Sequence, residues 1–200
     1  MARAYKMRRR ARAVEETRER ILRATMAVHD EKGVAPATFA DIAKRAGLGQ
    51  ATVARHFPTL SDLVQACGMH VWVEMQPPVP EAAPAVFAGI ETTHARLVKL
   101  VDELNSFYSR GALRLGLASR DRELVPELHG FLSAVEAGVE ALVREALRNA
   151  GQPESAIKVA IMLTSFPAWL GFNRLGLPPA ELAELKVRLL ECGMQAARKL

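Results

Sequence analysis

Hydrophobic positions recur at steps of three and four along most of this chain, and long alternating runs are lacking. Ile21, Leu22, Thr25, Val28 and His29 share one helical face, and Gly33 stands where a helix would end. The spacing predicts a helix beginning near Val14, with Glu15, Glu16 and Glu19 in its first turns, where the helix dipole favours acids. Thr38 and Asp41, three apart, read as an N-cap opening a short helix, "FADIAKRA", closed by Gly47. After a tight turn at Leu48–Gly49 comes a second short helix, "QATVARHF", cut by Pro58. Ser61 is then expected to cap a longer helix from about Asp62 to Met75.

The segment "QPPVPEAAPAVF", Gln76 to Phe87, breaks the pattern with four prolines and reads as a linker. A long helix is expected from there to about Arg110, striped by Leu97, Leu100, Val101, Leu104 and Tyr108. Gly111 and Gly116 then flank a short helical piece. Another helix runs to Gly151, with Leu128, Phe131, Leu132, Val135, Val139, Leu142 and Leu147 on its apolar face. The stretch "ESAIKVAIMLTSFPAWLGF" is apolar almost all round, which calls for cover on both sides. The last segment, from Pro178, carries two stripes: Leu182, Leu185, Leu189 and Cys192, then Val187, Leu190 and Met194. A surface helix needs one stripe, so the surplus points to a subunit interface over roughly Glu154–Phe172 and Pro179–Ala197.

Composition agrees with an all-α chain. Half of the 200 residues are hydrophobic and only 6% aromatic, with alanine and leucine dominant, which favours helix over sheet. Charge divides the chain. Residues 1–60 hold 13 Lys and Arg against 6 Asp and Glu; residues 61–200 hold 14 against 16. A basic N-terminal part joined to a near-neutral body suggests a polyanionic partner for the first part. Residues 1–14 form a basic arm with Arg8, Arg9, Arg10 and Arg12. No apolar run follows them, which argues against a secretory signal, and the most apolar run, Val159–Phe172, is short for a bilayer. Two distant cysteines make no disulfide framework, so a reducing cytoplasm is expected.

Two short helices joined by a glycine turn make a helix-turn-helix. Val53 and Phe57 face inward, leaving small side chains at Ala51 and Ala54 and the guanidinium of Arg55 outward. Such a helix can lie deep in a major groove, with Arg55 reaching a guanine edge or a phosphate. Gln50, Thr52 and His56 are its helpers, and Thr38 caps the preceding helix beside the same surface.

Arg20–Leu63 resembles the DNA-binding domain of the tetracycline-repressor (TetR) family. The resemblance rests on Ile21-Leu22, Ala24, Glu31, Gly33, Thr38, Asp41-Ile42-Ala43, Ala46-Gly47, Thr52, His56-Phe57 and Asp62-Leu63. It implies an all-α fold: a three-helix DNA-binding domain over 15–62, then a larger helical ligand-binding and dimerisation domain over 63–200. It further implies dimerisation through the last two helices, an operator as partner and no cofactor. Relatives commonly carry tyrosine and lysine, both phosphate contacts, where Ala54 and Leu60 stand, and phenylalanine at His29. A structural role is expected for His29.

Aromatic and methionine side chains cluster where the body can hold a cavity: Met69, Trp72, Met75, Phe87, Phe107, Tyr108, Phe131, Met162, Phe166 and Trp169. With His94, Asn105, Tyr108 and Asn173 as polar groups they suggest a hydrophobic or aromatic small-molecule effector. Enzymatic readings are weaker. Glu91 and His94 form one Glu-x-x-His element where a di-iron bundle needs two, and Cys67 with His70 lacks further zinc ligands nearby in sequence. The expected function is a dimeric, ligand-responsive transcription regulator, with no metal and no membrane. The alternative is a helical-bundle interaction or small-molecule-binding protein without specific DNA binding.

Overall fold

The computed structural model describes residues 2–198, with side chains from residue 7 onward. Met1, Lys199 and Leu200 lie outside the described residues, as do the side chains of Arg3 and Lys6. The described residues hold helices and no strand, as expected of an all-α chain. In order they are α1 (Ala2–Lys32), α2 (Phe39–Ala46), α3 (Gln50–His56), α4 (Leu60–Met75), α5 (Ala83–Val86), α6 (Thr93–Asp121), α7 (Pro126–Leu147), α8 (Glu154–Thr164), α9 (Phe166–Asn173) and α10 (Pro179–Ala197).

The chain divides into two compact units. The first is the chain up to Glu74 together with Gly116–Phe131; the second is Met75–Leu115 and the chain from Leu132 on. Within the first unit, Ile21, Ala24 and Val28 of α1 meet Ile42, Ala43 and Ala46 of α2, Val53 of α3, Phe57 and Leu63. Fully burying each of the larger of these side chains contributes about 1.5–3 kcal/mol. Helix α1 starts well before the predicted Val14. Alanine, arginine and lysine are strong helix formers, and Arg12–Glu16 and Arg23–Glu19 pair at helical spacing (3.1 and 3.7 Å). The cap of α4 is Thr59 rather than Ser61. Thr59 Oγ1 accepts from Asp62 N–H (3.0 Å), and Asp62 Oδ2 accepts from Thr59 N–H (2.9 Å). Ser61 instead donates to Glu127.

In the second unit, α6 does not end near Arg110. It continues through Gly111 and Gly116, because Gly111 serves packing: a Cβ there would overlap the terminal methyl of Met75. The proline-rich segment is packed rather than loose, with a 3-10 turn at Pro80–Ala82 and Ala83 and Phe87 buried. Arg96, itself buried, ties it down. Its guanidinium donates to the carbonyls of Phe87 (3.2 Å), Ile90 (3.0 Å), Glu145 (2.6 Å) and Ala146 (3.1 Å) and pairs with the Glu145 carboxylate (2.9 Å). The apolar stretch from Glu154 breaks at Ser165, whose hydroxyl caps α9 by accepting from Ala168 N–H (3.4 Å). Among the described residues no single helix is long and apolar enough to cross a membrane. Only α8 and α9 together reach that length and composition, and they meet at a bend of 53°. Helix α10 buries Leu182, Val187, Leu190 and Met194, and its Gly193 lets Val159 and Leu163 of α8 approach closely.

Candidate nucleic-acid interface and ligand site

The helix-turn-helix is built by local chemistry. Thr38 and Asp41 complete a capping box: Thr38 Oγ1 accepts from Asp41 N–H (3.2 Å), and Asp41 Oδ2 accepts from Thr38 N–H (3.0 Å). Lys32 Nζ also donates to Asp41 (2.5 Å). These bonds, Lys32's first, lower the Asp41 pKa to about 2. Gly47 ends α2 at φ 63°, a left-handed conformation suited to glycine, and Leu48 N–H returns to the Ala43 carbonyl (2.9 Å). Gly49 opens α3 without a side-chain cap.

On α3, Val53 and the following Phe57 are buried, and the Arg18 guanidinium stands 4.3 Å from the Phe57 ring centroid. Gln50, Ala51, Ala54 and Arg55 are exposed; Thr52 and His56 are half-buried. The outward face is therefore small and smooth around one guanidinium. Leu60 is 41% exposed where relatives carry lysine. Arg8, Arg9, Arg10 and Arg12 are exposed on the first turns of α1, and Arg12 Nε donates to Glu16 (3.1 Å).

The turn between α1 and α2 has a second support. Asp121, buried at the end of α6, accepts from Val34 N–H (2.8 Å) and Ala35 N–H (3.0 Å). Arg120 Nε donates to the same carboxylate (2.7 Å), and its hydrogen bond leads the causes that hold the Asp121 pKa below the usual range. Gly33, at φ 100°, leaves room for both side chains. His29 lies buried with Nδ1 3.7 Å from Cys67 Sγ, so Cys67 does not reach toward His70, which is exposed beside Glu74 (3.9 Å).

The aromatic residues expected around an effector fall into separate groups. Trp72 and Phe131, in the first unit, meet edge to face at 5.7 Å. In the second unit Tyr108, Phe166 and Trp169 cluster, with centroids 5.5–6.0 Å apart. Tyr108 donates to the Thr164 carbonyl (3.0 Å), and burial raises its pKa. Beside this cluster is a cavity of about 20 Å³, lined by Val101, Leu104, Asn105, Tyr108, Trp169, Phe172, Lys186 and Leu190 among others. Phe107 lines a different cavity, of about 70 Å³, with Pro78, Val79 and Leu142. Met69 and Met162 are 74% and 62% exposed, and His94 is exposed with Nδ1 2.8 Å from Glu191. These three line neither cavity.

Sequence reasoning missed Lys186. It is buried, donates to Asn105 Oδ1 (2.7 Å) and lies 5.8 and 5.7 Å from the Trp169 and Phe172 ring centroids. The signal was present: Leu182, Lys186 and Leu190 fall on one stripe at steps of four, so the lysine interrupts a buried face.

Residues 21–67 match the family model described as bacterial regulatory proteins, tetR family. Among curated proteins none matches the sequence significantly. Solved structures similar to the chain include a HlyIIR mutant with a substituted linker, at 15% identity, TM-score 0.63, covering 87% of this chain and 96% of that one. A protein assigned to the TetR family in Mesorhizobium loti MAFF303099 aligns at 18% identity, TM-score 0.57, covering 92% and 97%. LfrR, a TetR-like regulator from Mycobacterium smegmatis solved with proflavine, aligns at 27% identity, TM-score 0.52, covering 88% and 96%. The capped helix-turn-helix thus lies within the segment that matches bacterial regulatory proteins of the tetR family, and over most of its length the chain shares the fold of solved TetR-like regulators.

Proposed function

We propose that the chain acts as a homodimeric repressor that binds a near-palindromic operator and is released by a small molecule held in the second unit. The observation that carries this reading is the outward face of α3, where Ala51 and Ala54 leave Arg55 free to enter a groove. Arg55 reads a base edge or clamps a phosphate, with Gln50, Thr52 and His56 beside it. Thr38 holds the capped start of α2 near the DNA backbone. Arg8, Arg9, Arg10 and Arg12 add backbone contacts. A two-fold dimer would set two α3 helices on one face of the duplex, which is why a near-palindrome is expected.

Support for a small-molecule effector is the Tyr108–Phe166–Trp169 cluster beside a cavity, together with the proflavine bound by LfrR. The cavity has room for about one water, so effector binding must open it. By linkage, an effector that weakens DNA binding binds the DNA complex correspondingly less well.

The test is selection of bound sequences from randomised DNA by the purified protein, followed by titration of the winner. A palindromic consensus bound far more tightly than scrambled DNA is the expected result. Equal binding to every sequence at all salt concentrations overturns the reading.

A further inference from the structure

Lys186 is 8% exposed and has no carboxylate within ion-pair distance among the described residues. A buried charge normally has such a partner, because an ion removed from water without one is strongly disfavoured. Its one protein acceptor is Asn105 Oδ1, which also accepts from Trp169 Nε1 (3.1 Å), so both lone pairs of that oxygen are used. An ammonium carries three N–H donors, and the others find no acceptor among the described residues. The rings of Trp169 and Phe172 lie near the outer limit of useful cation–π contact. Burial accordingly lowers the Lys186 pKa.

We propose that Lys186 is the anion-recognising group of an effector site, and that the effector is an organic carboxylate with an aromatic or apolar body. The inference rests on the ligand-responsive reading above. The cavity beside Lys186 has room for about one water, so a head group enters as the site opens, and the acceptor must come in there, since the ammonium is buried within a single chain. The carboxylate accepts from Lys186 Nζ, a charge-assisted bond that strengthens in a low-dielectric site. The body of the molecule lies along Tyr108, Trp169 and Phe172. Helix α9 is the element that yields: it has no fully buried residue, and Ser165 and Gly176 (φ 69°) flank it.

The test is calorimetric titration of the full-length protein with three matched probes: 1-naphthoate, 1-naphthamide and 1-naphthylmethylamine. Naphthoate should bind at least about tenfold more tightly than the amide, the increment of one charge-assisted bond, and the amine should bind worst. Lys186→Met, checked for folding by circular dichroism, should abolish the preference, and Lys186→Arg should keep it. If Lys186→Met does not fold, Lys186→Gln takes its place. With no natural counter-ion lost, the Met variant should also melt at a higher temperature than the wild type. Equal affinity for acid and amide, no binding by any probe, or a preference that survives in Lys186→Met overturns the inference. Operator affinity is measured separately. Lys186-dependent binding of naphthoate that leaves operator affinity unchanged keeps the inference and sinks the ligand-responsive reading. Operator release by neutral compounds without Lys186 dependence does the reverse.

Discussion

His29 is buried within the first unit, and its ring has to stay neutral there. Burial lowers its pKa from 6.5 to about 4, against the upward pull of Asp30 and Asp121. The unfolded chain therefore takes up a proton between those two values while the folded chain does not. Stability is complete above about pH 6.5 and falls as the pH drops toward 4, by about 2 kcal/mol at pH 5. His29→Phe, which restores the residue common among relatives, should remove that part of the acid sensitivity. Urea unfolding of both proteins at pH 7 and pH 5 measures it, and an unchanged gap between the two pH values contradicts the burial argument. At this scale the sequence was legible wherever a residue type acts through its own backbone: Thr38 with Asp41 announced a cap, and Gly47 a left-handed turn. His29 was expected to be structural, but not that Cys67 would be its neighbour, 38 residues on. Lys186 was hidden for a related reason. Its partners are Asn105 and Trp169, and periodicity says nothing of what crosses between helices.

Helix α7 carries two glycines that look alike in sequence and differ in their surroundings. A Cβ at Gly130 meets nothing within 4 Å, whereas one at Gly138 would overlap the backbone carbonyl of Pro78. Alanine is favoured over glycine in a helix by about 1 kcal/mol. Gly130→Ala should therefore stabilise by roughly 0.5–1 kcal/mol. Gly138→Ala should destabilise, by about 1–3 kcal/mol as overpacking does, since backbone cannot step aside like a side-chain end. Thermal melts of the two variants, read against the wild type, should move in opposite directions; a shift in the same direction would refute the packing role of Gly138. The same ambiguity misled the reading of α6, where Gly111 suggested a break. Helix α2, by contrast, was legible to the residue, because its cap, its Ile42–Ala43–Ala46 face and its terminal glycine lie within ten residues of one another. The bend between α8 and α9 was obscured because both halves are apolar and Pro167 is tolerated in the first turn of α9.

A dimeric operator complex makes demands that fall on several elements at once. Met162 of α8 and Cys192 of α10 are exposed in the single chain, on the segments expected to pair. Leu189 lines the cavity with Lys186, which makes it a poor probe of the interface. Met162→Glu should yield a folded monomer by light scattering at concentrations where the wild type is dimeric, and a stable variant dimer would move the interface elsewhere. DNA affinity carries a second demand. Ala54 and Leu60 stand where relatives place phosphate-contacting tyrosine and lysine, so the electrostatic part of binding has to come from other cations. Arg8, Arg9, Arg10 and Arg12 are exposed, and α1 carries them as one continuous helix rather than a loose arm. We expect them to contact the phosphate backbone beside the groove that α3 enters. Each phosphate neutralised steepens the dependence of log affinity on log salt by about 0.9. Removing residues 2–12 should therefore weaken binding to all sequences and flatten that slope, by about 2 or more for a dimer that loses one contact per arm. Arg55→Ala separates the other role. It should cost about 1–3 kcal/mol on the operator and relax preference at one base pair if the guanidinium pairs with a base. Fluorescence anisotropy over a range of salt concentrations reads both variants. If the truncated protein keeps both its affinity and its salt slope, the basic turns of α1 are only a solvated extension, and the compensation for Ala54 and Leu60 lies elsewhere.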